Sequence, residues 1–349
     1  MKYSIIVPVY NRPDEVDELL QSLVRQTMKD FEVIIVEDGS HIPCKDICAK
    51  YADVLDLHYY YKDNSGPGQS RNYGADRSHG EWLIILDSDV VLPDGYLQAI
   101  NEELTPHSPI PYAAFGGPDA SHPSFTPIQK AISYSMTSFF TTGGIRGGKK
   151  KLDKFYPRSF NMGIRSDVYR QLGGFSRMRF GEDIDFSYRI VEAGHATRLI
   201  PEAWVWHKRR TDLRKFWRQV YNSGIARINL EKRHPGTLKL VHLLPMVFTL
   251  GVFFCCMATI ISIIVTAISG QYFPSGIIGI VALSPLLLYS IIICTHSTLQ
   301  NKSLRVGLLS VPAAFVQLMG YGCGFLSAWW KRCVLGQDEF QAYEKNFYK

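Results

Sequence analysis

Gly80-Glu-Trp-Leu-Ile-Ile-Leu-Asp-Ser-Asp89 is the stretch on which the reading of this chain turns. Trp82 to Leu86 is an apolar run of strand length that stops on two carboxylates two residues apart. The pattern recurs upstream. Tyr3-Ser-Ile-Ile-Val7 is a β-branched run that ends in a turn over residues 8–13, and Glu32-Val-Ile-Ile-Val36 ends in Glu37-Asp-Gly-Ser40. Residues 57–61 read as a further strand. Between these runs the spacing becomes helical: Val16, Leu19, Leu20 and Leu23 share one face, with Asp14 placed to cap the start, and residues 68–78 form a second helix. Strands alternating with helices predict a parallel, doubly wound α/β sheet, whose ligands bind at the carboxyl ends of the strands. The turns at residues 8–12, 37–40 and 87–89 are therefore expected to converge on one cleft.

Charge divides the chain in two. The 349 residues carry a net charge of +6, and mean hydropathy is close to zero. From residue 239 to 330 the only Asp, Glu, Lys or Arg residues are Lys239, Lys302 and Arg305. Just before that stretch, Lys208 to Arg233 holds nine Lys or Arg against Asp212 and Glu231. A basic run ahead of a long apolar segment reads as a positive-inside signal, with contact to anionic headgroups or a lipid-linked phosphate as a compatible second use. Nucleic acid is not an expected partner, because the membrane accounts for the basic run. Membrane helices are expected near 243–268, 276–294 and 306–330. Three crossings would put Lys331, Arg332 and the polar tail outside, against the positive-inside rule. The third segment is also rich in Gly and Pro (Pro312, Gly320, Gly322, Gly324), so a re-entrant or interfacial path stays open for it.

The run before Pro8 is too short for a signal h-region, so the N-terminal domain is expected to stay in the cytoplasm. The seven cysteines form no C-x-x-C pair; Cys44 and Cys48 read as reduced structural thiols, and Cys255, Cys256, Cys294 and Cys323 as small hydrophobes. The basic, glycine-rich stretch at 141–151 reads as a surface linker or as a loop ordering over phosphates.

Asp87 and Asp89 suit a hard divalent cation bridging phosphate oxygens, although a solvated turn gives the same triplet. Glu182 and Asp183 open a helical stretch in Gly181-Glu-Asp-Ile-Asp185. Acidic residues favour a helix N-terminus in any case; the functional reading is a general base for a hydroxyl.

Taken in order, Ser4-Ile-Ile-Val-Pro-Val-Tyr-Asn11, Val33-Ile-Ile-Val-Glu-Asp-Gly-Ser40, Gly66-Pro-Gly-Gln-Ser-Arg-Asn72 with Gly74, residues 80–89, Asn161-Met-Gly163, Gly173-Gly-Phe175 and residues 181–185 carry a resemblance. Over roughly residues 4–227 the chain resembles the family 2 glycosyltransferases, inverting enzymes of the GT-A fold. The resemblance implies a GT-A (Rossmann-like doubly wound) nucleotide-sugar domain over 1–235; the apolar segments give a transmembrane region over 236–335, followed by a polar tail over 336–349. It implies that Pro8, Val9, Tyr10 and Asp38 hold the nucleoside, with Arg71 near the base or the diphosphate. Asp87 would contact ribose or metal, and Asp89 would ligate Mg²⁺ or Mn²⁺ on the diphosphate. Asp183 would be the base, supported by Glu182. His207 in Trp206-His207 would be a further metal or diphosphate contact, or simply a structural histidine. The Gln-x-x-Arg-Trp motif of processive members is missing from residues 216–224, while Arg218 and Arg227 remain candidates for diphosphate or acceptor.

The expected activity is metal-dependent, inverting transfer from a nucleotide-diphosphate sugar, UDP-sugar before GDP-mannose. The acceptor would be a lipid-linked or membrane-proximal hydroxyl at the cytoplasmic face of an inner (plasma) membrane. A processive polysaccharide synthase and a catalytically inactive nucleotide-binding scaffold are the alternatives.

Overall fold

The structure, a computed structural model, describes residues 1–104, 112–120, 122, 124–142, 155–178, 180–208, 210–270 and 275–339. Most of the glycine-rich basic stretch and of the polar tail lies outside these residues. The chain forms two compact units, residues 1–123 with 149–208 and 340–349, and residues 124–148 with 209–339. Residues 124–148 and 209–235, which the sequence reading grouped with the N-terminal domain, thus cluster with the apolar helices.

The first unit runs β1 (Tyr3–Val9), α1 (Pro13–Val24), β2 (Phe31–Asp38), α2 (Lys45–Ala49), β3 (Leu57–Lys62), α3 (Pro67–Ala75), β4 (Trp82–Leu86), β5 (Val90–Val91), α4 (Tyr96–Leu104), β6 (Ala114–Gly116) and β7 (Asp119–Ala120). The second unit inserts α5 (Pro127–Thr137) and α6 (Phe139–Thr142). The first then resumes with β8 (Asn161–Arg165), α7 (Ser166–Gln171), α8 (Glu182–Glu192), β9 (Thr197–Leu199) and β10 (Val205–His207). Seven strands form one sheet in the order β3-β2-β1-β4-β8-β6-β9. The half from β3 to β4 is parallel, as the alternating pattern predicts. The other half departs from that expectation: β8 runs antiparallel to both β4 and β6. The short strands there, three residues in β6 and in β9, carry no periodicity from which a direction could be read.

β1 and β2 are buried on both faces, and that is why their sequences are continuous apolar runs. Ile5, Val7, Val33 and Ile35 pack with Val16, Leu19, Leu20 and Leu23 of α1. Ile6, Ile34 and Val36 pack on the opposite face with Tyr169, Phe186 and Ile190. α1 begins at Pro13, and no side chain caps it; Asp14 lies inside the first turn and acts through the helix dipole rather than as the expected cap. The close α3–sheet contact depends on Gly74, where an added Cβ would stand 2.6 Å from Ile6 Cγ2.

The second unit holds α5, α6, α9 (Leu213–Arg233), α10 (Leu244–Ser269), α11 (Ser275–Asn301) and α12 (Leu304–Trp329). Thr126 and Gln129 form a capping box on α5, and Asp212 caps α9 through Lys215 N at 2.7 Å. By length and composition the last three helices are each able to cross a membrane. The glycines that make α12 unusual are points of backbone approach, as in membrane helix packing. An added Cβ on Gly324 would stand 2.0 Å from Tyr221 O, and one on Gly224 of α9 would stand 2.1 Å from Tyr321 O. Gly224→Ala is therefore expected to lower stability by about 1–3 kcal/mol. Gly251→Ala, where an added Cβ meets nothing within 4 Å, serves as the control. Equal thermal unfolding of the two variants in detergent would refute the close crossing.

Candidate functional site

The carboxyl ends of β1, β2 and β4 meet as the topology rule requires. Asn11, at φ 54°, ties the first two turns together. Its Oδ1 accepts from His41 N at 2.7 Å and Ile42 N at 3.0 Å, and its own N–H donates to Ser40 Oγ at 2.7 Å. Val9 is buried, Pro8 is half-buried, and the Tyr10 ring is exposed beside them. Asp38 is buried and spends its carboxylate on the protein. Oδ1 accepts from Lys62 Nζ at 2.5 Å and from Ser65 N at 2.9 Å, and Oδ2 accepts from Gly66 N at 2.9 Å. It thereby fixes the loop that starts α3.

α3 carries Arg71 into the interior, where its side chain is 4% exposed. The guanidinium bridges two carboxylates, donating to Asp87 Oδ1 at 2.8 Å and Glu182 Oε1 at 3.0 Å. It also lies over the Phe175 ring, 5.2 Å from the centroid. Burial pushes the Glu182 carboxyl up to about 7, with neighbouring Asp183 adding to the rise and Arg71 opposing it. Asp183, next on α8, is less buried and pairs with Arg158 Nε at 2.9 Å.

β5, only two residues long, explains the histidine. His207 of β10 pairs with Val90 across an antiparallel ladder, and Lys208 N donates to Asp89 O at 3.0 Å. That register sets the imidazole against the carboxylates, 118 residues away in sequence from Asp89. His207 Nε2 is 3.2 Å from Asp89 Oδ1, and its ring stacks on Phe160 at 5.0 Å. One ligand atom each from Asp87, Asp89 and His207 lie within 4.8 Å of one another. Two carboxylates and an imidazole are a donor set that Mg²⁺ or Mn²⁺ accepts, so the residues present fit such a cation. Arg12 Nη1 reaches Asp89 Oδ2 at 2.5 Å, and the pairing holds the guanidinium charged.

The first unit thus gathers Pro8, Val9, Tyr10, Asp38, Arg71, Asp87, Asp89, Glu182, Asp183 and His207. Arg218 and Arg227 belong to the second unit. Arg218 is exposed on α9, whereas Arg227 is buried and donates to Thr237 Oγ1. Three cations escaped the sequence reading: Arg12, Lys62 and Arg158. Lys62 had a signal, since it ends β3 opposite Asp38 at the end of β2. Arg12 lies in a turn already picked out for its position, and nothing in the sequence marks Arg158.

Residues 4–173 match the model of Glycosyl transferase family 2. The pre-mycofactocin glycosyltransferase of Mycobacterium tuberculosis (strain ATCC 25618 / H37Rv) is 28% identical over 253 residues, which are 66% of this chain and 48% of that protein. The validoxylamine A glucosyltransferase of Streptomyces hygroscopicus subsp. jinggangensis is 26% identical over 230 residues, 58% of this chain and 54% of the relative. The chain therefore spans about half the length of these relatives. Among solved structures, the mannosyltransferase PcManGT from Pyrobaculum calidifontis, in complex with GDP-Man and Mn²⁺, superposes with a TM-score of 0.54 at 16% identity, over 93% of this chain and 87% of that one. The likeness is one of fold, and the fold is GT-A.

Proposed function

Through residues 4–173 the chain belongs to the family 2 glycosyltransferases, and on that premise we propose that it transfers a sugar, with inversion and in a metal-dependent manner, from a nucleotide-diphosphate donor to an acceptor hydroxyl. The observation that carries this reading is the convergence of Asp87, Asp89 and His207 in the unit that also holds Asp183. Arg71 links the two groups, because it touches both Asp87 and Glu182. In the step itself, the acceptor oxygen bonds to the anomeric carbon as the bond from that carbon to the diphosphate breaks. The hydroxyl proton passes to Asp183. A divalent cation held by Asp87, Asp89 and His207 would neutralise the charge developing on the leaving diphosphate. Tyr10 offers an exposed ring for the base, beside Pro8 and Val9. Asp38 shapes the same wall by fixing the loop before α3, and Glu182 holds Arg71 in place.

UDP-sugars are favoured over GDP-mannose as donors. The apolar helices support a lipid-linked or membrane-proximal acceptor, with catalysis on the cytoplasmic side of an inner membrane in surface glycan or glycolipid synthesis. The test is a titration of the detergent-solubilised chain with UDP and with GDP, each with and without Mn²⁺. A nucleotide at one hundred times its Kd is expected to stabilise the fold by about 2.7 kcal/mol. The gain should need Mn²⁺ and vanish in Asp89→Ala. If neither nucleotide raises the melting temperature under any metal condition, the donor-site reading fails; metal-dependent nucleotide binding with no transfer from any donor would favour the inactive scaffold instead.

A further inference from the structure

We propose that only α10 and α11 cross the bilayer, as a hairpin, and that α12 lies in the membrane interface beside α9, on the side from which α10 enters. Composition alone makes α12 a third span. Its contacts within the second unit give a different path.

α10 and α11 run antiparallel over most of their length. Near one end the Phe248 ring meets Tyr289 at 5.2 Å; far along, Thr259 Oγ1 donates to Gly279 O at 3.3 Å. At 26 residues, α10 is about 39 Å long, enough for a hydrocarbon core of about 30 Å. Exposed apolar side chains line both helices, from Phe253, Phe254 and Ile260 to Ile280, Leu287 and Ile291.

The first half of α12 runs back along the last turns of α11: an added Cβ on Gly307 would stand 1.9 Å from Thr298 Oγ1, Ser310 Oγ lies 2.6 Å from Ser297 Oγ, and Ala314 packs with Ile293. Where it reaches the start of α10, it stops following the hairpin. Its Phe315 meets Phe248 at 5.5 Å, and Leu318 O lies 3.5 Å from Thr249 Oγ1. An added Cβ on Gly322 would stand 2.1 Å from Thr249 Oγ1 and 2.5 Å from Pro245 O. From residue 315 to 322 the helix advances about 10 Å along its own axis. Over that distance it stays against the first turns of α10, residues 245–249. A helix spanning beside α10 would have moved the same distance into the membrane. α12 crosses the mouth of the hairpin instead.

The second half of α12 then keeps company with α9. An added Cβ on Gly320 would stand 2.5 Å from Val220 Cγ2, Gly324 faces Tyr221, and Lys232 Nζ donates to Arg332 O at 2.7 Å. α9 carries Arg214, Lys215, Arg218, Arg227, Glu231, Lys232 and Arg233. A helix with that many ions stays out of the hydrocarbon, where each charge costs several kcal/mol. Two helices whose backbones touch along their length share one depth, so residues 320–332 lie at the depth of α9. The exposed Trp329 and Trp330, followed by Lys331, are residues suited to an interface. Two crossings also return the tail to the side of α9. Lys331 and Arg332 then obey the positive-inside rule, which three crossings would break. The partner of this surface is a lipid bilayer, spanned by the hairpin and covered at one face by α9 and α12.

Three thiols test the path: Asp53→Cys in the N-terminal unit, Ser269→Cys at the far end of α10, and native Cys333, which is exposed just past α12. A membrane-impermeant maleimide is applied to intact cells and to inverted membrane vesicles carrying the full chain. Labelled peptides are located by mass spectrometry. Cys333 and Asp53→Cys should react in the same preparation, with loss of labelling in the other, and Ser269→Cys should show the reverse. Cys333 reacting together with Ser269→Cys would restore three crossings and overturn the proposal. Reaction of all three from one side would overturn it as well, because the hairpin would then not cross.

Discussion

Asp183→Asn is expected to lower kcat by about 10²–10⁴-fold, the usual contribution of a positioned general base, and to leave metal-dependent nucleotide stabilisation as it is in the unaltered chain. The two carboxylates at the start of α8 are not equivalent. Glu182 is buried, paired to Arg71 and pushed up to about 7, chiefly by burial. Its surroundings hold it as a partner for the cation, away from an incoming hydroxyl. Asp183 is the more accessible of the two, and Arg158 braces its Oδ2 from one side. Asparagine keeps the shape of Asp183 and its place at the helix start but cannot accept a proton. Single-turnover rates measure the chemical step, and thermal shifts with nucleotide and Mn²⁺ measure the donor site separately. If Asp183→Asn retains its rate while Glu182→Gln loses it, the base is Glu182 and the assignment is reversed.

The sequence was readable where one element carries its own signal. Tyr3–Val9, Phe31–Asp38 and Trp82–Leu86 are buried on both faces, so each is a continuous apolar run ending on a polar turn. The rule that ligands gather at such ends brought residues 8–12, 37–40 and 87–89 together without any knowledge of register. Where position depends on pairing between distant short segments, the sequence is silent. His207 joins Asp89 through a two-residue strand opposite Val90, and no window of sequence that short has a period. The antiparallel entry of β8 is hidden for the same reason. Its Gly163 lies under the Phe115 ring, where an added Cβ would stand 2.0 Å from the ring carbons. That glycine was read as part of a motif, whereas its necessity comes from Phe115, directly opposite on the neighbouring strand β6. Lys62 and Asp38 show the middle case: each was visible as a strand end, but their pairing needs the β2–β3 register.

Arg71→Met should cost about 3–5 kcal/mol, because removing one partner of a buried ionic group strands the others. Here one guanidinium faces two carboxylates, Asp87 at 2.8 Å and Glu182 at 3.0 Å. The loss should depend on pH, and its sign follows from Glu182. Burial already raises its folded pKa from 4.5 to about 7. Between those values the folded state holds a proton that the unfolded state releases, so this group's contribution to stability falls as pH rises through that window. Without Arg71 the folded pKa climbs further, and the window extends upward. The variant should therefore lie nearest the unaltered chain at about pH 5, where Glu182 is protonated with or without Arg71, and fall increasingly behind above pH 7. Glu182→Gln removes the titrating group, so the double variant should lose most of that slope and recover part of the stability at high pH. Melting temperatures of the four chains at pH 5.5 and 8 supply the comparison. A loss in Arg71→Met that is the same at both pH values would mean that Arg71 acts through packing on Phe175 rather than through charge. The same substitution should also weaken metal-dependent nucleotide binding, since Asp87 loses the cation that aims it. A destabilised variant that still binds nucleotide with undiminished affinity would separate the structural bridge from the donor site.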